Sequence, residues 1–313
     1  MNSIKCASLN VCGLKRRVEF PDFYELVNKY DLFFVVETKL DANDVISLPN
    51  FKFINKPRKQ PFIRKSGGLG IFIRDLLLPH CEILDCDSDF ILWLKLSKLY
   101  CNTDQDVIFG VTYIPPLQSR FYTLDEFEAY ENEIITKCSQ YDKIFLCGDW
   151  NAQTSNLLDY SESDDFLNNH FQIDGDNAVF LNQEERMRSL GIPLTRLSAD
   201  NKINNHGRSL IDTCKNNLII LNGRLGFDSA KMTFRNISTI DYVIISLDAF
   251  KHIEALNINT TDRLFSDGDA LLEYNVKCRS SISTAVYSQC AKNSTAGKPI
   301  PKASLADEFS MNI

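Results

Sequence analysis

Short runs of β-branched, aliphatic and aromatic residues recur along most of the chain, at residues 4–11, 32–36, 69–74, 91–96, 107–114, 143–147, 218–221, 240–245 and 271–276. Runs this short and this apolar read as buried strands, since a helix needs about ten or more residues to show one apolar face. Between them lie stretches with helical spacing: 20–29 behind Pro21, 124–138 with Thr123 as its cap, and 208–216. This alternation predicts an α/β chain built in layers rather than an all-α or all-β one. Several runs end in a polar residue, among them Asn10, Glu37, Tyr113 and Asp149. The ends of strands are where α/β folds place their chemistry.

With 313 residues, 44% of them hydrophobic, the chain can bury a sizeable core. A net charge of -7 argues against overall attraction to nucleic acid, so any grip on phosphates must be local. One candidate patch is Lys52, Lys56, Arg58, Lys59, Arg64, Lys65 and Arg74, with no acid among them; a solvated basic loop is the alternative. Of ten cysteines, Cys6, Cys12, Cys147 and Cys214 sit in apolar runs and none forms a Cys-x-x-Cys pair, which reads as buried, reduced thiols. With neither a leader pattern nor a membrane-length apolar stretch, the expectation is an intracellular chain, nuclear or cytoplasmic, with no membrane partner. The Asn-x-Ser/Thr triplets at Asn236, Asn259 and Asn293 are then chance.

Residues 152–206 are mostly polar and read as a surface excursion with a short helix at 182–190. From 279 onward the composition turns to Ser, Ala, Lys and Pro, so one domain is expected over 1–278 and a disordered tail over 279–313. No internal repeat is visible in the sequence.

Some strand ends carry residues suited to phosphate chemistry. In Cys147-Gly148-Asp149-Trp150-Asn151 the glycine permits a sharp turn, and an acid and an amide two apart in extended chain point the same way. Both can then reach one phosphate, the plain alternative being a loop cap. Glu37 ends a run that should be fully buried, where an acid is usually paired or bound to a cation, and Asn10 could add an amide oxygen to the same hard ion. Asp241, in Ser238-Thr239-Ile240-Asp241-Tyr242, could orient a histidine imidazole. Phe265-Ser266-Asp267-Gly268-Asp269 and Tyr113, in Val111-Thr112-Tyr113-Ile114-Pro115-Pro116, complete the set.

Each fragment alone is weak, but their order from about residue 4 to 276 resembles the endonuclease/exonuclease/phosphatase family. The resemblance is to the apurinic/apyrimidinic-like endonuclease domain of non-LTR retrotransposons in particular. Ser8-Leu9-Asn10-Val11-Cys12-Gly13-Leu14, Ser66-Gly67-Gly68-Leu69-Gly70-Ile71-Phe72, Asn205-His206-Gly207-Arg208-Ser209-Leu210, Leu218-Ile219-Ile220-Leu221-Asn222-Gly223 and Thr233-Phe234-Arg235 support it. The resemblance implies a layered α/β sandwich of two mixed β-sheets flanked by helices, acting on DNA with Mg²⁺ or Mn²⁺. It implies Glu37, Asn10 and Asp267 on the metal side, Asp149 on the attacking water, Asn151 and Tyr113 on phosphate oxygens, and Asp241 orienting the catalytic histidine. The chain would then be a degraded copy or a piece of a longer element.

At one point the sequence departs from that family. Its Ser-Asp-His ending is replaced by Ser266-Asp267-Gly268-Asp269, and His80, His170, His206 and His252 match no such motif. Either Gly268 or Asp269 takes the histidine's place, and neither offers a protonated imidazole to a phosphate oxygen. A weakened or inactive nuclease is expected. The competing readings are a pseudonuclease that binds nucleic acid or a protein partner, and a phosphatase of small esters. Oligomeric state is not legible.

Overall fold

The computed structural model describes residues 2–59, 65–101, 103–161 and 183–278. Arg64, His170, much of the polar excursion and the 279–313 segment lie outside the described residues. The strands are β1 (Asn2–Asn10), β2 (Leu32–Val36), β3 (Phe51–Lys56), β4 (Leu69–Arg74), β5 (Cys81–Leu84), β6 (Ile91–Leu96), β7 (Val107–Tyr113), β8 (Ile144–Asp149), β9 (Leu218–Ile220), β10 (Asp241–Ser246), β11 (Ile253–Asn259) and β12 (Leu271–Cys278). They form two six-stranded mixed sheets, ordered β11-β12-β1-β2-β4-β3 and β5-β6-β7-β8-β10-β9. Each sheet has one parallel pair at its centre, β1 with β2 and β7 with β8, and every other pairing is antiparallel. The two sheets therefore repeat one pattern of strand directions, although no repeat shows in the sequence.

Side-chain alternation explains the layering. Ile4 and Cys6 of β1, Phe34 and Val36 of β2, Phe109 and Val111 of β7, Phe145 and Cys147 of β8, and Val243 and Ile245 of β10 fill one core between the sheets. Residues of opposite parity pack outward. Ala7, Leu9, Phe33 and Val35 lie under the helix Pro21–Val27, while Ile108, Leu146 and Ile244 lie under the helices Leu124–Gln140 and Asn205–Cys214. The result is the expected sandwich of two mixed sheets flanked by helices. Among the described residues no helix is long and apolar enough to cross a membrane.

Strands β3, β5 and β11 are the ones absent from the sequence reading, and each lies at a sheet edge. Edge strands keep one side in water, so their apolar runs are interrupted by residues such as Lys52, Glu82 and Glu254.

The basic run also resolves differently from a free cationic patch. Lys56 donates to Ser88 O and Ile91 O, Arg74 bonds Asn28 and Tyr30 carbonyls and pairs with Asp31, Lys65 pairs with Asp41 and Asp44, and Lys59 lies near Asp89. Most of these cations thus hold the fold together. Arg58 differs: its Nη1 and Nη2 are buried without partners, and the guanidinium lies 4.5 Å from the Phe121 ring centre and 5.7 Å from that of Tyr113.

Candidate active site between the two sheets

Strand parity brings the polar strand ends together. Asn10 continues the inward row of Ile4 and Cys6, Tyr113 that of Phe109 and Val111, Asp149 that of Phe145 and Cys147, and Asp241 that of Val243 and Ile245. In register, Tyr113 lies beside Asp149 on the parallel partner and Asp241 beside Asp149 on the antiparallel one. Trp150 has the opposite parity and packs outward, its indole N–H donating to Tyr130 Oη at 2.8 Å. Glu37 follows Val36 and by alternation would turn outward; its backbone φ of 52° returns it to the interlayer, where it accepts from Tyr113 Oη at 2.8 Å.

Gly148 is required rather than convenient. Its φ is 138°, and a Cβ there would lie 2.0 Å from the carbonyl oxygen of Thr112 on β7. The strand can carry Asp149 to the site only because this position has no side chain.

The Oδ1 of Asn10, the amide oxygen named for a cation, accepts from Cys12 N at 3.1 Å, and its Nδ2 donates to Asp149 at 3.1 Å and to Glu37 at 3.4 Å. The residue therefore ties two carboxylates together as a donor. Glu37 also has the ammonium of Lys39 3.3 Å away. Asn151, at a φ of 48°, gives one amide N–H to Ile114 O at 2.9 Å and its backbone N–H to Asp149 Oδ1 at 2.8 Å. Asn204, which caps the helix Asn205–Cys214, holds the Asn151 carbonyl at 2.9 Å.

Asp267, expected among the metal-side carboxylates, stands on the rim. Its side chain is 57% exposed and pairs with Arg17 at 2.5 Å. Bonds from Cys12 and Arg17 hold its carboxyl below the usual range. Arg17 is buried and bonds Val11 O, Arg263 O and Leu264 O as well, so it anchors the turn that carries Asp267. Nothing in the sequence singles Arg17 out, because apart from Val11 O its partners, Asp267 and two backbone carbonyls, lie nearly 250 positions away.

The residue that does enter is Asp269. Gly268 has a φ of 146°, and any side chain there would meet that of Arg235. Asp269 is 5% exposed, takes a hydrogen bond from Ser266 Oγ at 2.9 Å, and has a carboxylate oxygen within 4.8 Å of those of Asp149 and Asp241. Of the two substitutes for the missing histidine, the fold brings Asp269 inward.

Neither His206 nor His252 reaches this cluster. His206 is buried, with Nε2 3.0 Å from Pro115 O and its ring against Tyr122 and Phe127. His252 ends the turn Leu247–His252 that leads into β11.

Three aspartates so close interact strongly. At an effective dielectric of about 20, like charges this far apart repel by about 3 kcal/mol per pair. Burial and the mutual charge accordingly raise the carboxyls of Asp149 and Asp241 well above the ordinary range. Burial and the charges of Glu37 and Asp267 raise Asp269 to about 6, against the Ser266 bond that lowers it. Burial, with the nearby Glu37 and Asp149 charges, also raises Tyr113. Of these groups the Asp269 carboxyl, at about 6, is shifted toward the range where protons exchange in neutral solution.

No protein-family model matches the sequence, and no curated protein matches it. Solved structures do match in shape. The endonuclease domain of TRAS1, a telomere-specific non-LTR retrotransposon, superposes with a TM-score of 0.54 at 11% identity, covering 89% of this chain and 100% of that one. The AP endonuclease LMAP from Leishmania major gives 0.57 at 13% identity, with 88% of each chain covered. The 3'-5' exonuclease NExo from Neisseria meningitidis gives 0.56 at 13%, covering 88% of this chain and 100% of that one. With the same two sheets over nearly nine-tenths of its length, the chain has the endonuclease/exonuclease/phosphatase fold.

Proposed function

We propose that the chain is a divalent-metal-dependent phosphodiesterase of the retrotransposon-endonuclease kind, which nicks DNA slowly because Asp269 stands where an imidazole would donate to the phosphate. The observation that carries this reading is the convergence of Glu37, Tyr113, Asp149, Asn151, Asp241 and Asp269 at one end of both sheets. The matching of the fold to solved endonuclease and exonuclease structures supports it.

In this reading Asp149, held by Asn10 and by the Asn151 N–H, takes the proton of the attacking water. Tyr113 and Asn151 face the phosphate oxygens, and Arg58 offers a guanidinium with unused donors beside Tyr113. Mg²⁺, or Mn²⁺ in its stead, is the cofactor. The carboxylate, hydroxyl and amide groups gathered around Glu37 offer oxygen donors that fit a hard cation. When bound, such an ion offsets negative charge gathering on the phosphate.

A nicking assay on supercoiled plasmid tests the reading. Conversion to open circles with Mg²⁺ or Mn²⁺, its loss in chelator and a fall of about 100-fold or more in Asp149→Asn are expected. Cation-independent nicking, or nicking unchanged in Asp149→Asn, overturns it. The absence of an imidazole favours a second reading, a pseudonuclease. DNA binding by the native chain with no cleavage, at any cation concentration and in Asp269→His alike, would establish that one instead.

A further inference from the structure

We infer that Asp149, Asp241 and Asp269 form a divalent-cation site of their own, distinct from the Glu37 side to which the family resemblance points. The two sides differ in how their charge is met. Glu37 already has the Lys39 ammonium at 3.3 Å and the Tyr113 hydroxyl at 2.8 Å, while the Asn10 amide it shares with Asp149 carries no charge. Among the described residues, no ion pair includes Asp149, Asp241 or Asp269.

The second observation is Asp241 itself. It is 3% exposed, strand parity aims its carboxyl into the space shared with the other two, and its Oδ2 has neither solvent nor a hydrogen-bond partner. An orphaned carboxylate oxygen at that depth asks for a proton or a metal. All three residues can bring a ligand oxygen within 4.8 Å of the others, a spread that one ion with metal–oxygen bonds of about 2.0–2.6 Å spans.

Neither thiol nor imidazole joins the group, so the chemistry selects a hard ion of the Mg²⁺ or Mn²⁺ class rather than zinc. Replacing an imidazole by Asp269 turns a proton-donating corner into an anionic one that a cation can neutralise. Because Asp149 is one of its donors, an ion here also occupies the carboxylate that the nuclease reading uses on water, which accords with slow cleavage.

The assignment concerns binding and is tested without DNA. Mn²⁺ binding to the purified chain, followed by electron paramagnetic resonance, is compared among the native chain, Asp241→Asn, Asp269→Asn and Glu37→Gln, with thermal unfolding in chelator and in Mn²⁺ for each. Tenfold or greater weakening is expected in both aspartate variants, with Glu37→Gln retaining the ion. In chelator the aspartate variants should unfold at or above the native temperature, since they remove repulsion, while losing the upward shift that Mn²⁺ gives the native chain. Native-like Mn²⁺ binding in both aspartate variants, loss of binding in Glu37→Gln alone, or no binding by the native chain at millimolar Mn²⁺ overturns the assignment. Each of those results leaves the plasmid assay free to decide the nuclease reading separately.

Discussion

At the scale of single residues, the site is a balance of charges held by a few positions that cannot change freely. Asp269 illustrates the pH consequence. Its carboxyl is raised from an ordinary 3.8 to about 6, so between those values the folded chain keeps a proton that the unfolded chain has lost. Stability from this group is therefore fully present below about pH 4 and is lost as pH rises through about 6; a shift of about two units corresponds to about 3 kcal/mol. In chelator, the difference in unfolding temperature between the native chain and Asp269→Asn should move against the native chain as pH goes from about 4 to 7. A difference that is flat, or that moves the other way, contradicts the assigned shift. Gly148 makes a simpler case. With the Cβ of an alanine falling 2.0 Å from Thr112 O at a φ of 138°, Gly148→Ala should cost several kcal/mol, about 3 or more, in denaturant unfolding. A loss under about 1 kcal/mol would mean that the strand can shift to admit it.

At the scale of elements, what the sequence made legible follows burial. Strands β2, β4 and β6 match the apolar runs to the residue because both faces are covered and only Arg74 and Lys95, near the strand ends, break the apolar pattern. The edge strands escaped for the opposite reason. The helix Asn205–Cys214 begins three residues earlier than its apolar spacing indicates, since Asn204 caps it by accepting from Gly207 N at 2.7 Å. That cap is also part of the site: the same side chain holds the Asn151 carbonyl at 2.9 Å and accepts from Gln153 N at 3.0 Å. Asn204→Ala should cost about 1 kcal/mol of stability as a lost cap. It should also slow nicking more than it weakens DNA binding, because Asn151 loses its tether. Equal loss in binding and in turnover would show that the cap acts on the fold alone. Thr123 was recognisable as a cap from its place before the apolar spacing, and its hydroxyl does accept from Glu126 N at 3.3 Å.

At the scale of the whole molecule, alternation aims part of the candidate site inward, whereas Glu37 and Asn151, named from their sequence context, reach it through positive φ values that alternation does not encode. Asn10, Tyr113, Asp149 and Asp241 end inward-facing rows, so strand periodicity alone aims them into one space. Asp267 and Asp269 sit on a turn whose course depends on Arg17, on Gly268 at a φ of 146° and on the Ser266 hydroxyl, none of which periodicity encodes. The repeated strand-direction pattern was invisible for a related reason: it resides in pairings between distant segments and leaves no periodic trace in the residues. Each sheet brings the ends of its central parallel pair to the cleft, Asn10 of β1 and Glu37 just after β2 on one side, Tyr113 of β7 and Asp149 of β8 on the other. The proposed function makes this cleft a nuclease site limited by an aspartate in place of an imidazole. Its most direct test is the Mg²⁺-dependent nicking rate of supercoiled plasmid by the native chain beside Asp269→His and Gly268→His. A gain of about tenfold or more is expected in Asp269→His, with none in Gly268→His, whose side chain would meet Arg235. Nicking unchanged or lower in Asp269→His, or a gain confined to Gly268→His, would contradict it.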